Sequence, residues 1–167
     1  ESTVFSFGIG NDITFDRALI AKANCTVYAV DDTPGSNRWV DSQRRQGRLP
    51  AKFHPHRAVL SLSDGPVNMR LPRGHGLSFS AEDYGSARGF AKSNTSAPYA
   101  ARGRTLQTLM AHYNVTRLDL LKLDVEASEL PLFNAIVQRP GPTPFHARLP
   151  VCQLLVEFHS RLSPLGY

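Results

Sequence analysis

The 167-residue chain is short of several things, and each shortage narrows what it can be. It has two cysteines, Cys25 and Cys152, each inside an apolar run. They make neither a disulfide framework nor a zinc-type cluster, and they read as two buried thiols. No apolar stretch approaches the roughly 20 residues that a membrane-spanning helix needs. No initiator Met and no signal-peptide pattern precede the first apolar strand, so the chain reads as cut from a longer protein. There is no internal repeat. The two histidines of His54-Pro55-His56 have no cysteine or acid at ligand spacing, so no metal site is expected there.

What is present fits one globular domain spanning residues 1–167. Hydrophobic residues make up 41% and charged residues 20%, an ordinary soluble balance. At this length one core is expected and hardly two. The formal charge of +5 is uneven. Residues 1–34 carry a net −3, residues 35–105 a net +8, and the rest balance. The basic middle could attract an acidic or phosphorylated partner. Aromatics are sparse there, so no stacking platform for single-stranded nucleic acid is expected. Three Asn-x-Ser/Thr sequons, at Asn24, Asn94 and Asn114, would suit a secretory-pathway protein.

Hydrophobic periodicity predicts a strand at Val4–Phe7 and a helix from Asp12 to Ala23, with Asn11, Asp12 or Thr14 as its cap. A second strand is expected at Cys25–Val30. A turn at Thr33–Ser36 and a short helix at Trp39–Arg45 follow. A third strand is expected at Ala58–Leu62 and an extra edge strand at Val67–Leu71. Residues 72–103 are rich in Gly, Ser, Ala and charge and read as a long loop or insertion. Then come a helix at Arg104–Tyr113, a strand at Leu118–Val125, a helix at Ser128–Val137 and a fifth strand at Val151–Phe158. Strands alternating with helices predict an α/β fold with a Rossmann-like, doubly wound, mostly parallel sheet. In such sheets the ligand sits outside the carboxyl ends of the strands.

Those ends carry the candidate chemistry. Ser6-Phe7-Gly8-Ile9-Gly10-Asn11-Asp12 puts two glycines between a strand and a helix, where the backbone can turn tightly and approach a ligand. A dinucleotide fingerprint wants a third glycine, and Ile13 stands there instead. Asp31 follows Gly8 by 23 residues, with Asp32 beside it. An acid at the end of the second strand can accept both ribose hydroxyls of a nucleoside. Asp124 and Glu126 end the fourth strand, and Glu157 and His159 end the fifth. Each pair has the i, i+2 spacing of one strand face. Neighbouring strands would gather all four at one edge of the cleft as candidate base or cofactor anchor.

Four stretches make the pattern specific. They are Val4 to Asp16, Val27 to Pro34, Leu118-Asp119-Leu120-Leu121-Lys122-Leu123-Asp124-Val125-Glu126-Ala127-Ser128-Glu129, and Gln153 to His159. In this order, and over nearly the whole chain, they resemble the motifs of FkbM-type methyltransferase-like domains. The resemblance implies a class I fold and S-adenosylmethionine as methyl donor. Gly8 and Gly10 would lie under the cofactor and Asp31 on its ribose, with transfer often to an oxygen. Asn11 and Asp12 would either help hold the charged methionine end or cap the helix, and Asp32 would lie against the adenosine. Ala127 stands where the family usually has Gly, and Asp32 where it usually has Pro. The chain also stops just after its fifth strand, where a complete class I domain adds a final strand pair.

The expected activity is therefore S-adenosylmethionine-dependent methylation of a hydroxyl or carboxyl acceptor, a small molecule or a glycan-like substrate. Methyl transfer is an in-line displacement at a sulfonium carbon, so the protein supplies alignment and, for a hydroxyl, a base. The rivals are a methyltransferase-like binding module without catalysis and an NAD-dependent oxidoreductase, which the absent third glycine disfavours.

Overall fold

A computed structural model of the chain describes residues 2–69, 99–125, 128–129, 132–133 and 150–158. Short β-branched and aromatic runs make its central strands. Val4, Phe5 and Phe7 of β1 (Thr3–Phe7) are buried, as are Val27, Ala29 and Val30 of β2 (Thr26–Val30). Burial on both faces is what parallel central strands require. With β3 (Phe53–His56), β7 (Leu118–Leu123) and β8 (Val151–Val156) they form a sheet of order β3-β2-β1-β7-β8. Every pairing in it is parallel, with Phe5 opposite Tyr28 on one side and Leu121 on the other.

Helices cover both faces. Ile13, Leu19 and Ile20 around α1 (Thr14–Ala23) share one core cluster with Trp39 and Val40 of α2 (Pro34–Arg45). Leu106, Leu109 and Met110 of α3 (Leu106–His112) fill the other face against Phe5, Phe7, Leu121 and Leu123. The fold is thus the expected doubly wound α/β arrangement. Among the described residues, no helix is long and apolar enough to cross a membrane.

Local chemistry moved several boundaries. Thr33–Ser36 is the first turn of α2, because Pro34 fits the first helical position, where its missing N–H has no role. The third strand of the main sheet is Phe53–His56, ahead of the expected run. Its Pro55 hid it, and the strand tolerates proline because it lies at the sheet edge. Val59–Leu60 (β4) instead joins a second sheet, of order β4-β6-β5. There β5 (Gly65–Met69) pairs antiparallel with β6 (Tyr99–Arg104), so Met69 lies opposite Tyr99. The expected loop therefore ends at residue 98. Its stretch 72–98 lies outside the described residues, but the ladder fixes where the chain leaves and returns. Arg104 belongs to β6, and α3 starts after Thr105, whose side chain accepts from the Thr108 N–H at 3.1 Å. Of the helix expected at Ser128–Val137, Glu129, Leu132 and Phe133 are helical, and the rest lies outside the described residues. Of the two cysteines only Cys25 is buried, because β8 is an edge strand and exposes Cys152.

The two histidines of β3 have structural work. His54 stacks on Tyr28 at 5.4 Å, and His56 Nδ1 shares a 2.7 Å hydrogen bond with the Tyr113 hydroxyl. Tyr113 also lies 4.0 Å, centroid to centroid, from Tyr28. This cluster fastens the edge strand to the end of α3. Burial, then the charges of His112, Arg102 and Arg104, hold His56 below the ordinary histidine range. A depressed folded pKa means the unfolded chain binds the proton better, so stability is full above about pH 6.5 and falls as the pH drops through the folded value. Thermal unfolding midpoints between pH 7.5 and 5.5 should fall for the native chain and fall less steeply for His56→Gln. Equal slopes would remove His56 from this role.

Candidate nucleoside-binding site

Three strand ends meet at a cavity of about 170 Å³, walled by the loop after β1, the end of β2 and the turn after β7. The second sheet closes it with Val59, Leu60 and Met69. The main-sheet walls are in contact through backbone. Gly8 has φ +80°, and a Cβ there would overlap the carbonyl oxygen of Asp124. Gly10 has φ +57° and open space where its Cβ would lie, so the bare backbone of the loop faces the cavity.

Asp31 braces this loop. Its Oδ2 accepts from the N–H groups of Ile9 at 2.9 Å and Gly10 at 3.0 Å, and its Oδ1 accepts from Thr33 N–H at 2.7 Å. A carboxylate offers about four acceptor sites. Three are filled by backbone, which leaves one lone pair of Oδ1 for a ligand hydroxyl. Sequence reasoning expected a ribose acceptor, and the structure adds a bracing role.

The other expected cofactor contacts divide. Asn11 and Asp12 line the cavity. The N-cap of α1 is Ile13, with no side-chain cap bond, and none of the expected caps takes that place; Asp12, one residue ahead, accepts from Thr14 N–H at 2.8 Å and Thr14 Oγ1 at 3.1 Å in a turn leading into the helix. Asp32 is not among the residues lining this cavity. Successive side chains leave a strand end on opposite sides, so Asp32 turns to β6. There it accepts from Arg102 N–H at 3.1 Å and from Asn37 Nδ2 at 3.1 Å.

Of the four candidate bases, Asp124 lines the cavity and its Oδ2 lies 3.1 Å from Lys122 Nζ. Glu157 follows β8 and is exposed, with its N–H bonded to Leu123 O at 2.9 Å. It is not among the residues lining the cavity, although the β7–β8 register, which pairs Leu123 with Val156, continues to set it beside Asp124. Glu126 and His159 lie outside the described residues.

Four residues had escaped notice as site groups. Lys122 bonds the Gly8 carbonyl at 3.3 Å as well as Asp124. Ser128 lines the cavity, is 2% exposed, and its hydroxyl has no partner. Glu129 is buried and accepts from Val125 N–H at 3.1 Å, fixing the turn after β7. Asp16 is buried beneath the loop. Sequence signals existed for two of them. Lys122 interrupts an apolar strand two residues before an acid, and Asp16 occupies an apolar register position between Ile13 and Ile20.

Fold and site together define a Rossmann-like α/β domain with a glycine-loop cavity at the carboxyl ends of its parallel strands, the place where such sheets take nucleoside ligands. The methyltransferase FkbM domain family matches residues 1–162, and the chain belongs to that family. No curated protein and no solved structure matches it.

The two glycines should respond differently to alanine. Gly8→Ala meets both a backbone overlap and a left-handed φ, and should lower unfolding free energy by well over the roughly 1 kcal/mol of the φ penalty alone. Gly10→Ala meets only the φ penalty, about 1 kcal/mol. Urea denaturation of both variants checks this, and equal losses would contradict the Gly8–Asp124 contact.

Proposed function

We propose that the cavity binds S-adenosylmethionine and that the domain transfers its methyl group to an oxygen of a hydroxyl or carboxyl acceptor. The observation that carries this is a built but unsatisfied polar cavity within a family of methyltransferases. The Ser128 hydroxyl is buried in its wall without a partner, and Gly10 leaves bare backbone facing it. Buried polar groups in native proteins are almost always paired, so such an orphan points to a ligand. A cofactor with a ribose, an amino-acid end and an apolar base fits these donors and the Leu60 and Met69 surface.

The chain's own residues then have definite tasks. Asp31 keeps the Gly8–Gly10 loop closed and offers its remaining lone pair to a ribose hydroxyl. Asn11 and Asp12 sit at the rim, where a charged methionine end would lie. Bound there, the cofactor supplies a methyl group already activated on sulfonium, and the protein's part is alignment and removal of water. Asp124 is the candidate base that faces the cavity. A carboxyl acceptor would need no base, and a hydroxyl acceptor would pass its proton to Asp124 or to an acid of the adjoining turn, with Glu126 and His159 the remaining candidates.

Calorimetric titration with S-adenosylmethionine and NAD in parallel tests the cofactor. Micromolar binding of the former is expected, falling at least about tenfold in Asp31→Ala. Binding of NAD alone would overturn the reading, and binding of neither would leave a methyltransferase-like domain without its chemistry. Ser128→Ala gives a sharper test. Removing an unsatisfied buried hydroxyl should leave the free protein as stable or more stable, by up to about 1 kcal/mol, while cofactor affinity drops several-fold. Unchanged affinity would remove Ser128 from the site.

A further inference from the structure

Lysine is rarely buried, and β7 is an interior strand with β1 and β8 on its two sides. Yet Lys122 stands near its end with a side chain only 17% exposed. Its in-register partner on β1 is Ser6, which is fully buried. Paired residues of parallel neighbours point to one side of the sheet, here the side that carries α1. From α1 the Asp16 carboxyl comes down over the pair and is 4% exposed. Burial pushes Asp16 above the usual carboxylate range, with the Ser6 hydroxyl and the Lys122 ammonium working the other way. The Ser6 contact falls short of hydrogen-bond geometry, since neither Ser6 Oγ nor Asp16 Oδ1 has a partner.

The same ammonium reaches the cavity. It donates to the Gly8 carbonyl at 3.3 Å and to Asp124 Oδ2 at 3.1 Å. Gly8 belongs to the glycine loop and Asp124 to the opposite wall. An ammonium has three donors on a compact centre and can serve a carbonyl and a carboxylate in different directions at once. We propose that Lys122 is a positioning residue of the cofactor cavity: its charge ties the Gly8 carbonyl to the Asp124 carboxylate and, added to the backbone contact of the two walls, holds the loop and the aim of Asp124. Without Lys122, Asp124 would lose its 3.1 Å ion pair and the Gly8 carbonyl its donor.

The proposal rests on the cofactor reading above, and two measurements separate their failures. The first is calorimetric titration with S-adenosylmethionine. Lys122→Met should weaken binding by about tenfold or more, and Lys122→Arg, which keeps a charge and several donors, should recover all but about threefold. Parent-like affinity in Lys122→Met would overturn the proposal. So would Lys122→Arg behaving like Lys122→Met, because a purely steric role needs no charge. The second needs no cofactor. Amide hydrogen exchange of the free full chain should quicken at Ile9, Gly10 and Asp124 in Lys122→Met while Val27, bonded to the Lys52 carbonyl on the far side of β2, keeps its rate. Uniform quickening across the sheet, or none at the loop, would overturn the tie. If the parent does not bind S-adenosylmethionine, the cofactor reading falls and exchange still decides Lys122. Should Lys122→Met not fold, Lys122→Gln, which keeps a donor and loses the charge, carries the same expectations.

Discussion

The carboxylate of Asp31 sets the position of everything else in the cavity. A loop that leaves a strand through two left-handed glycines has no ladder to hold it, and its N–H groups need acceptors. Asp31 supplies them from the neighbouring strand, taking Ile9 and Gly10 on one oxygen and Thr33 on the other. One side chain thereby joins the end of β1, the end of β2 and the start of α2. The Gly8 backbone is then pressed against the Asp124 carbonyl, so β7 is brought into the same frame. The cavity is the space left between these three ends.

The acids around it show how one residue type takes different tasks from its surroundings. Asp12 is exposed and holds the turn into α1 through Thr14. Asp31 braces the loop. Asp32, one residue on, crosses to the other side of the strand end and receives the backbone of β6, which ties the small sheet to the large one. Glu129 fixes the turn after β7 from within. Among the described residues, Asp124 is the acid both at the cavity and paired to a cation by side chain, the pairing that suits a group held in one orientation. Asp31, with three of about four acceptor sites filled by backbone, has the least left for any other task.

Much of this was legible in the sequence. Apolar runs of five or six residues marked β1, β2, β7 and β8, and glycines before a helix marked the loop. The strand-end acids marked the cavity. What escaped notice had a physical reason in each case. β3 reads Phe-His-Pro-His, with no run and no alternation, and is a strand only because β2 offers it an edge. The end of the presumed loop is a strand because β5 pairs with it, and Tyr-Ala-Ala-Arg-Gly-Arg carries no such signal by itself. Asp32 and Asp31 looked equivalent because spacing alone does not say which of two adjacent side chains turns inward. Lys122 was seen as part of a motif but not as a charge reaching across to Gly8, since that contact spans 114 positions of sequence.

Methyl transfer from a sulfonium asks little covalent chemistry of a protein and much geometry. Donor carbon, sulfur and acceptor oxygen must lie in line, and a displacement of the order of 1 Å can cost about a hundredfold in rate. The proposed transfer asks for walls that do not breathe. Here the walls are joined three times over: by the Gly8–Asp124 backbone contact, by the Asp31 carboxylate and by the Lys122 ammonium. Two of these joints are charged groups bound to backbone, which are stronger than neutral hydrogen bonds. The orphaned Ser128 hydroxyl is the complement of that rigidity. In a cavity that could relax, a buried hydroxyl would turn to a neighbour or reach water. In one held on three sides it stays buried in the wall without a partner.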